Sequence, residues 1–178
     1  VYMTTKLEKE ATFFLPFNMG NGEGVNAGAG NPIFEDKYSV FYMWEDVLTK
    51  DSILEIISKF MFIEVKEKED ESTGKKKIKE NIIFPRFHQR DALHKILADV
   101  YENGSSYNYL IQHSAGSGKT NSIAWLAYRL SSLHDENNKI IFDNIIIVTD
   151  RVVVDRQLQA AIMGMEHKSG LIKVMDDR

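Results

Sequence analysis

The 178-residue chain contains no cysteine. Disulfides, thiolate zinc sites and cysteine nucleophiles are therefore excluded, and the composition fits a reducing cytoplasm without requiring one. An excess of basic charge is missing as well. The formal net charge is -4, so nothing draws the chain as a whole towards nucleic acid, and any DNA contact must come from a local patch. Long apolar runs are absent too: stretches such as "IIIV" at 145–148 are far too short to span a bilayer. No segment resembles a signal peptide, so no membrane partner is expected. Nor does an initiator methionine stand at position 1, where the chain opens "VYMTT", and a piece of a longer protein is expected. What is present is ordinary for a soluble globular protein: 43% hydrophobic and 27% charged residues, over a length sufficient for one α/β domain or parts of two.

Two regions follow from the pattern. In the first, residues 1–80, a glycine-rich stretch "NMGNGEGVNAGAGNP" covers 18–32. Its "GEGVNA" matches the dinucleotide fingerprint formally, but that fingerprint needs a helix after it, and the Gly-Ala-Gly and Asn-Pro that follow break one, so an irregular or flexible loop is expected. "KDSILEIISKFMF" at 50–62 predicts a helix with Ile53, Ile56, Ile57 and Phe60 on one face and capping-box spacing at Ser52 and Glu55. Residues 62–84 run apolar, acidic, turn, basic, apolar, which predicts a hairpin with its tip near Ser72-Thr73-Gly74. Within it Glu64-Val65-Lys66 imitates half of a nuclease metal site, yet Asp46 and Asp51 sit at a predicted helix start. A solvated strand with cross-strand charge pairs accounts for these residues, and no nuclease is expected here.

The second region, 81–178, alternates strand and helix. Strands are expected at 107–113, 143–150 and 170–175, with helices at 119–133 and 152–165 between them. Such alternation implies right-handed crossovers and a parallel sheet flanked by helices, an α/β fold. The first strand leads into "HSAGSGKT", residues 113–120. Apart from His113 at the first position, this fits the phosphate-loop pattern Gly-x4-Gly-Lys-Ser/Thr, with the strand before and the helix after that the pattern requires. Ser114, Ala115, Gly116, Ser117 and Gly118 would turn backbone N–H groups towards a polyphosphate. Lys119 would reach the β- and γ-phosphates, the Thr120 hydroxyl would hold Mg²⁺, and the helix start would add its positive end. ATP and Mg²⁺ are the expected cofactors, with Lys119 and Thr120 as the catalytic candidates.

Two flanking segments narrow the class. "FPRFHQRDALHKIL" at 84–97 starts a helix with Gln89, whose amide could pair with adenine. "IIIVTDR" places Thr149 and Arg151 at the end of a strand, suited to a phosphate backbone. Together with "MTTKL", "FLPFN", "GAGNP", "FPRFHQ", "YLIQHSAGSGKTNSIAWLAYRLSSLHD" and "VTDR", these resemble the restriction subunit of type I restriction–modification enzymes, a superfamily 2 helicase-like motor. That resemblance runs over nearly the whole chain. It implies a partial RecA-like P-loop domain at 81–178, preceded by a helix–hairpin linker region over 1–80 and, before that, a nuclease domain. It implies ATP-driven translocation of double-stranded DNA by a subunit bound to modification and specificity subunits, with S-adenosylmethionine used only by the modification subunit.

"LIKVMDD" at 171–177 imitates the acidic strand that holds Mg²⁺ for hydrolysis, but Lys173 interrupts it. Asp176 and Asp177 are expected to be a loop-bound pair, so ATP would bind here without being turned over. An apolar strand at 107–112 lacking its neighbour would then expose an unpaired edge, favouring aggregation or pairing between chains. Another superfamily 2 motor, a small P-loop kinase and a nucleotide-gated docking module stay open beside the leading expectation.

Overall fold

The computed structural model describes residues 1–22, 28–69 and 76–165. Its elements, in chain order, are β1 (Tyr2–Met3), a 3-10 turn (Lys9–Ala11), β2 (Leu15–Pro16), a π-helical turn (Met43–Val47), α1 (Lys50–Glu55), a second π-helical turn (Ile56–Phe60), β3 (Phe62–Glu69), β4 (Lys76–Ile83), α2 (Phe87–Asn103), α3 (Lys119–Leu130) and α4 (Val152–Met165).

The hairpin expected between 62 and 84 forms. β3 and β4 pair antiparallel from Phe62 opposite Ile83 to Glu69 opposite Lys76. Its tip, and most of the side chains expected to pair there, fall outside the described set. The pleat sends Lys79, Asn81 and Ile83 to the face that carries Phe62. α1 also forms, but without the expected capping box. The helix starts behind Thr49, so Ser52 lies inside it and is buried, accepting a 2.8 Å hydrogen bond from Arg90. Glu55 is likewise committed elsewhere, to His94 and Arg129.

Helices α3 and α4 form within the segments expected to be helical, and α2 starts within 84–97 as expected and runs on to Asn103. They enclose a core in which Trp125, fully buried, packs edge-on against Phe60 and Phe62 and donates from Nε1 to the Phe60 carbonyl at 2.8 Å. Leu93, Leu97, Leu158 and Met165 complete it. α4 crosses β3 closely at Gly164, where an added Cβ would stand 3.0 Å from the Phe62 ring. A second core joins Phe17, Tyr42, Val47 and Ile56. There Phe17 meets Phe84 and Phe87 edge-on at 5.9 Å, bringing "FLPF" and "FPRF" together.

The parallel sheet is not present among the described residues; the two sheets there are small and antiparallel. Residues 107–113 and 143–150 run without a ladder, and the expected third strand at 170–175 lies outside the described set. The physical reason is the non-local character of strand pairing. A strand's backbone bonds require a neighbour at 4.7–4.9 Å, and neither segment meets one. Residues 145–149 instead alternate: Ile147 packs on the main core, whereas Ile146 and Val148 are almost fully exposed. The glycine-rich stretch closes through an antiparallel bridge between Asn21 and Gly28, and residues 23–27 of its fingerprint match fall outside the described set. No helix among the described residues is long and apolar enough to cross a membrane.

Candidate functional site

The loop at 113–120 turns on two glycines with left-handed backbone, Gly116 at φ +74° and Gly118 at φ +85°. L side chains rarely adopt that conformation, so these positions demand glycine. At Gly118 a Cβ would also stand 2.6 Å from Gln89 Nε2, so the loop is pressed against the first turn of α2. Ser117 N–H closes the loop onto the Ser114 carbonyl at 3.3 Å, and α3 begins at Lys119.

Three side chains from one turn hold three successive loop carbonyls. Arg86 Nη1 donates to Gly116 O at 3.4 Å, His88 Nε2 lies 3.1 Å from Ser117 O, and Gln89 Nε2 donates to Gly118 O at 2.8 Å. Gln89 Oε1 meanwhile accepts the Arg86 N–H at 2.8 Å, which caps α2. With these carbonyls fixed outward, the amide N–H groups of Ala115, Gly116, Gly118, Lys119 and Thr120 carry no hydrogen bond in the described structure. A cluster of free N–H groups at a helix start is an anion cradle.

Lys119 folds back over this cradle, donating from Nζ to His113 O at 2.9 Å and Ser114 O at 2.8 Å. The Ser117 hydroxyl is buried with no partner. A buried hydroxyl left unpaired costs about 1–3 kcal/mol, which an acceptor in the cradle would relieve. The rings of His88 and His113 stand edge-to-face 4.8 Å apart. Burial pushes the His88 imidazole below its ordinary pKa, and the neighbouring His113 and Arg86 add to that against the Ser117 carbonyl. Burial and then the Lys119 charge lower His113 in the same way. Both shifts favour the neutral rings, and the positive charges at the loop are those of Lys119 and Arg86.

These groups fit a Mg²⁺-bound triphosphate: free amides and a lysine for the phosphates, and a Thr120 hydroxyl without a hydrogen bond for the metal. No group of three or more His, Asp or Glu among the described residues could hold a metal by itself. Gln89 was expected to face a base; here it is buried and tied at both ends of its amide to Arg86 and Gly118. Thr149 and Arg151 are not joined to the loop by any hydrogen bond or ion pair among the described residues. Arg151 is exposed, and its carbonyl accepts from Asp155 at the start of α4. Asp176 and Asp177 lie outside the described set.

Arg86 and His88 were not picked out by pattern. The signal available was three polar side chains in one helical turn just after Pro85, on an otherwise apolar approach.

α2 is in turn fixed to its surroundings. Arg90, buried, makes two bonds to Asp46 (2.8 and 3.0 Å). Glu55 bridges His94 on α2 and Arg129 on α3, each at 2.8 Å. Burial alone would raise the Glu55 carboxyl, but the hydrogen bonds and charges of His94 and Arg129 outweigh it and hold the pKa at about 2.

Residues 88–175 match the family model described as the SWI2/SNF2 ATPase. That match takes in the loop, α3 and α4, and supports a superfamily 2 helicase-like, ATP-binding motor segment. No curated protein and no solved structure matches the chain.

Proposed function

We propose that residues 81–178 form the ATP-binding portion of the DNA-translocating motor of a type I restriction subunit. The observation that carries the ATP-binding part is the loop itself: five free amides, three carbonyls held outward and Lys119 lying across the mouth. The family match supports the helicase-like class. The type I assignment, the double-stranded DNA track and the modification and specificity subunits rest on the sequence resemblance.

In this reading Lys119 leaves the His113 and Ser114 carbonyls for the β- and γ-phosphates, exchanging two neutral acceptors for charged ones. The free amides of Ala115, Gly116, Gly118, Lys119 and Thr120 hold the phosphate oxygens, and the Thr120 hydroxyl orients the metal. Bound Mg²⁺ would neutralise phosphate charge. Arg151, exposed at the start of α4, contacts the DNA backbone beside Thr149.

Titrating the 178-residue chain with Mg²⁺-ATP, then measuring phosphate release with and without long duplex DNA, tests the proposal. Binding that Lys119→Ala abolishes is expected, without DNA-independent release. Absence of binding by the unaltered chain would overturn the loop assignment, and DNA-independent release would favour a small P-loop kinase.

A further inference from the structure

The chain ahead of the matched 88–175 segment carries a second surface with chemistry of its own. Residues 38–45 wind in successive turns. Phe41 N–H donates to the Tyr38 carbonyl at 2.9 Å, and Trp44 and Glu45 N–H donate to the Phe41 carbonyl at 3.1 and 3.0 Å. The inner side of these turns is anchored: Tyr42 and Val47 are buried in the second core, and the Tyr42 hydroxyl donates to the Phe17 carbonyl at 2.5 Å. The outer side is aromatic and faces solvent. Tyr38 is 78% exposed and Trp44 52%, and their rings meet at 6.2 Å between centroids and 69° between planes. We propose that Tyr38 and Trp44, with Glu35 and Asp36 beside them, form a docking surface for an arginine-bearing segment of a partner protein.

Three observations carry it. First, the two rings make one patch on a fixed support. Single exposed apolar side chains are ordinary, whereas Trp and Tyr held together in solvent are the residues on which protein contacts anchor. Second, the unmatched charge is negative. Lys37 pairs with Glu45 at 2.8 Å, and the buried Arg90 holds Asp46 at 2.8 Å. Glu35 and Asp36 are exposed and make no hydrogen bond or ion pair among the described residues, and Asp36 acts on Lys37 only at longer range. A basic segment complements that charge, and a nucleic-acid backbone is repelled by it.

Third, the same surface already holds a cation in this manner. Lys37 Nζ stands 4.6 Å from the centroid of the Phe41 ring while it bonds the Glu45 carboxylate. Trp44 and Tyr38 repeat that combination of ring and carboxylate, with no cation over either ring among the described residues. Arginine suits it better than lysine, because a planar guanidinium stacks on a ring while its N–H groups reach a carboxylate. None of this depends on the loop holding phosphate.

The chain has two tryptophans, and Trp125 is fully buried, so acrylamide quenching of fluorescence reports on Trp44. Titrating the 178-residue chain with an Arg-Gly repeat peptide, the matching Lys-Gly peptide and oligothymidylate tests the inference. The Arg-Gly peptide should shield Trp44 and bind about threefold to fivefold more tightly than the Lys-Gly peptide. Tyr38→Ala, and separately Glu35→Gln with Asp36→Asn, should each weaken Arg-Gly binding about threefold. These side chains are exposed, so the fold should survive their loss, and an unchanged urea midpoint checks that. No shielding by the Arg-Gly peptide, or equal affinity for both peptides with Tyr38→Ala unchanged, would overturn the proposal. Tighter binding of oligothymidylate would overturn it in favour of a nucleic-acid surface. Shielding that grows with chain concentration alone would overturn it in favour of a second copy of the chain.

Discussion

The two flanks of the phosphate loop differ in kind. On one side the helices α2, α3 and α4 form, and they pack around Trp125. On the other, the apolar segments 107–113 and 143–150 form no ladder, with Leu110, Ile146 and Val148 almost wholly exposed. A helix closes its backbone bonds within four residues, whereas a strand closes them only against a neighbour. The loop is thus held in shape from the helical flank, through Arg86, His88 and Gln89, although the sequence pattern derives it from the strand flank.

The comparison is sharpest where it predicts unequal costs. Trp125→Ala should cost about 4 kcal/mol in urea unfolding, because it removes a fully buried ring and the bond to Phe60 O. A loss below about 1 kcal/mol would mean that the helical flank is not the stable one.

Glu55→Gln should cost about 2 kcal/mol near neutral pH by leaving Arg129 and His94 without a carboxylate. Because the folded carboxyl sits at about 2, below its ordinary 4.5, its contribution is present above 4.5 and fades as pH falls towards 2. Unfolding midpoints measured between pH 6 and pH 2.5 should therefore converge for the two proteins. Parallel curves would remove Glu55 from the link between α1, α2 and α3.

Gln89→Ala should cost about 1 kcal/mol through the lost cap of α2 and the lost bond to the Gly118 carbonyl, which keeps its bonds from Asn121 and Ser122 N–H. Amide exchange at Ser117, whose N–H is bonded to the Ser114 carbonyl, should quicken, while exchange in the body of α3 holds. Uniform quickening along α3 would mean that Gln89 supports the helix and not the loop.

Leu110→Ser and Val148→Ser should each cost under about 0.5 kcal/mol, as befits exposed positions. A cost above about 2 kcal/mol for either would show that these segments are covered in solution. That result would erase the difference between the two flanks.

Much of the molecule was legible in advance because its determinants are local. Apolar spacing marked α3, and the segments at 84–97 and 152–165 read as the start of α2 and as α4; the apolar–charged–apolar run marked the β3–β4 hairpin; Gly116, Gly118, Lys119 and Thr120 marked the loop. Ser52 and Glu55 show where local reasoning stops. Their spacing suits a capping box, but Arg90, His94 and Arg129 arrive from elsewhere in the chain and offer these buried polar groups charged partners. Only the tertiary structure assigns Gln89 to Gly118 and Arg86, sets Phe17 between Phe84 and Phe87, and leaves 107–113 and 143–150 without a ladder. The sequence by itself determined the loop and the helices, since turns, caps and amphipathic faces depend on residues a few positions apart. The partners of the loop's carbonyls and the pairing of its apolar flanks were decided in three dimensions, because contacts across the chain depend on which neighbour arrives and not on spacing.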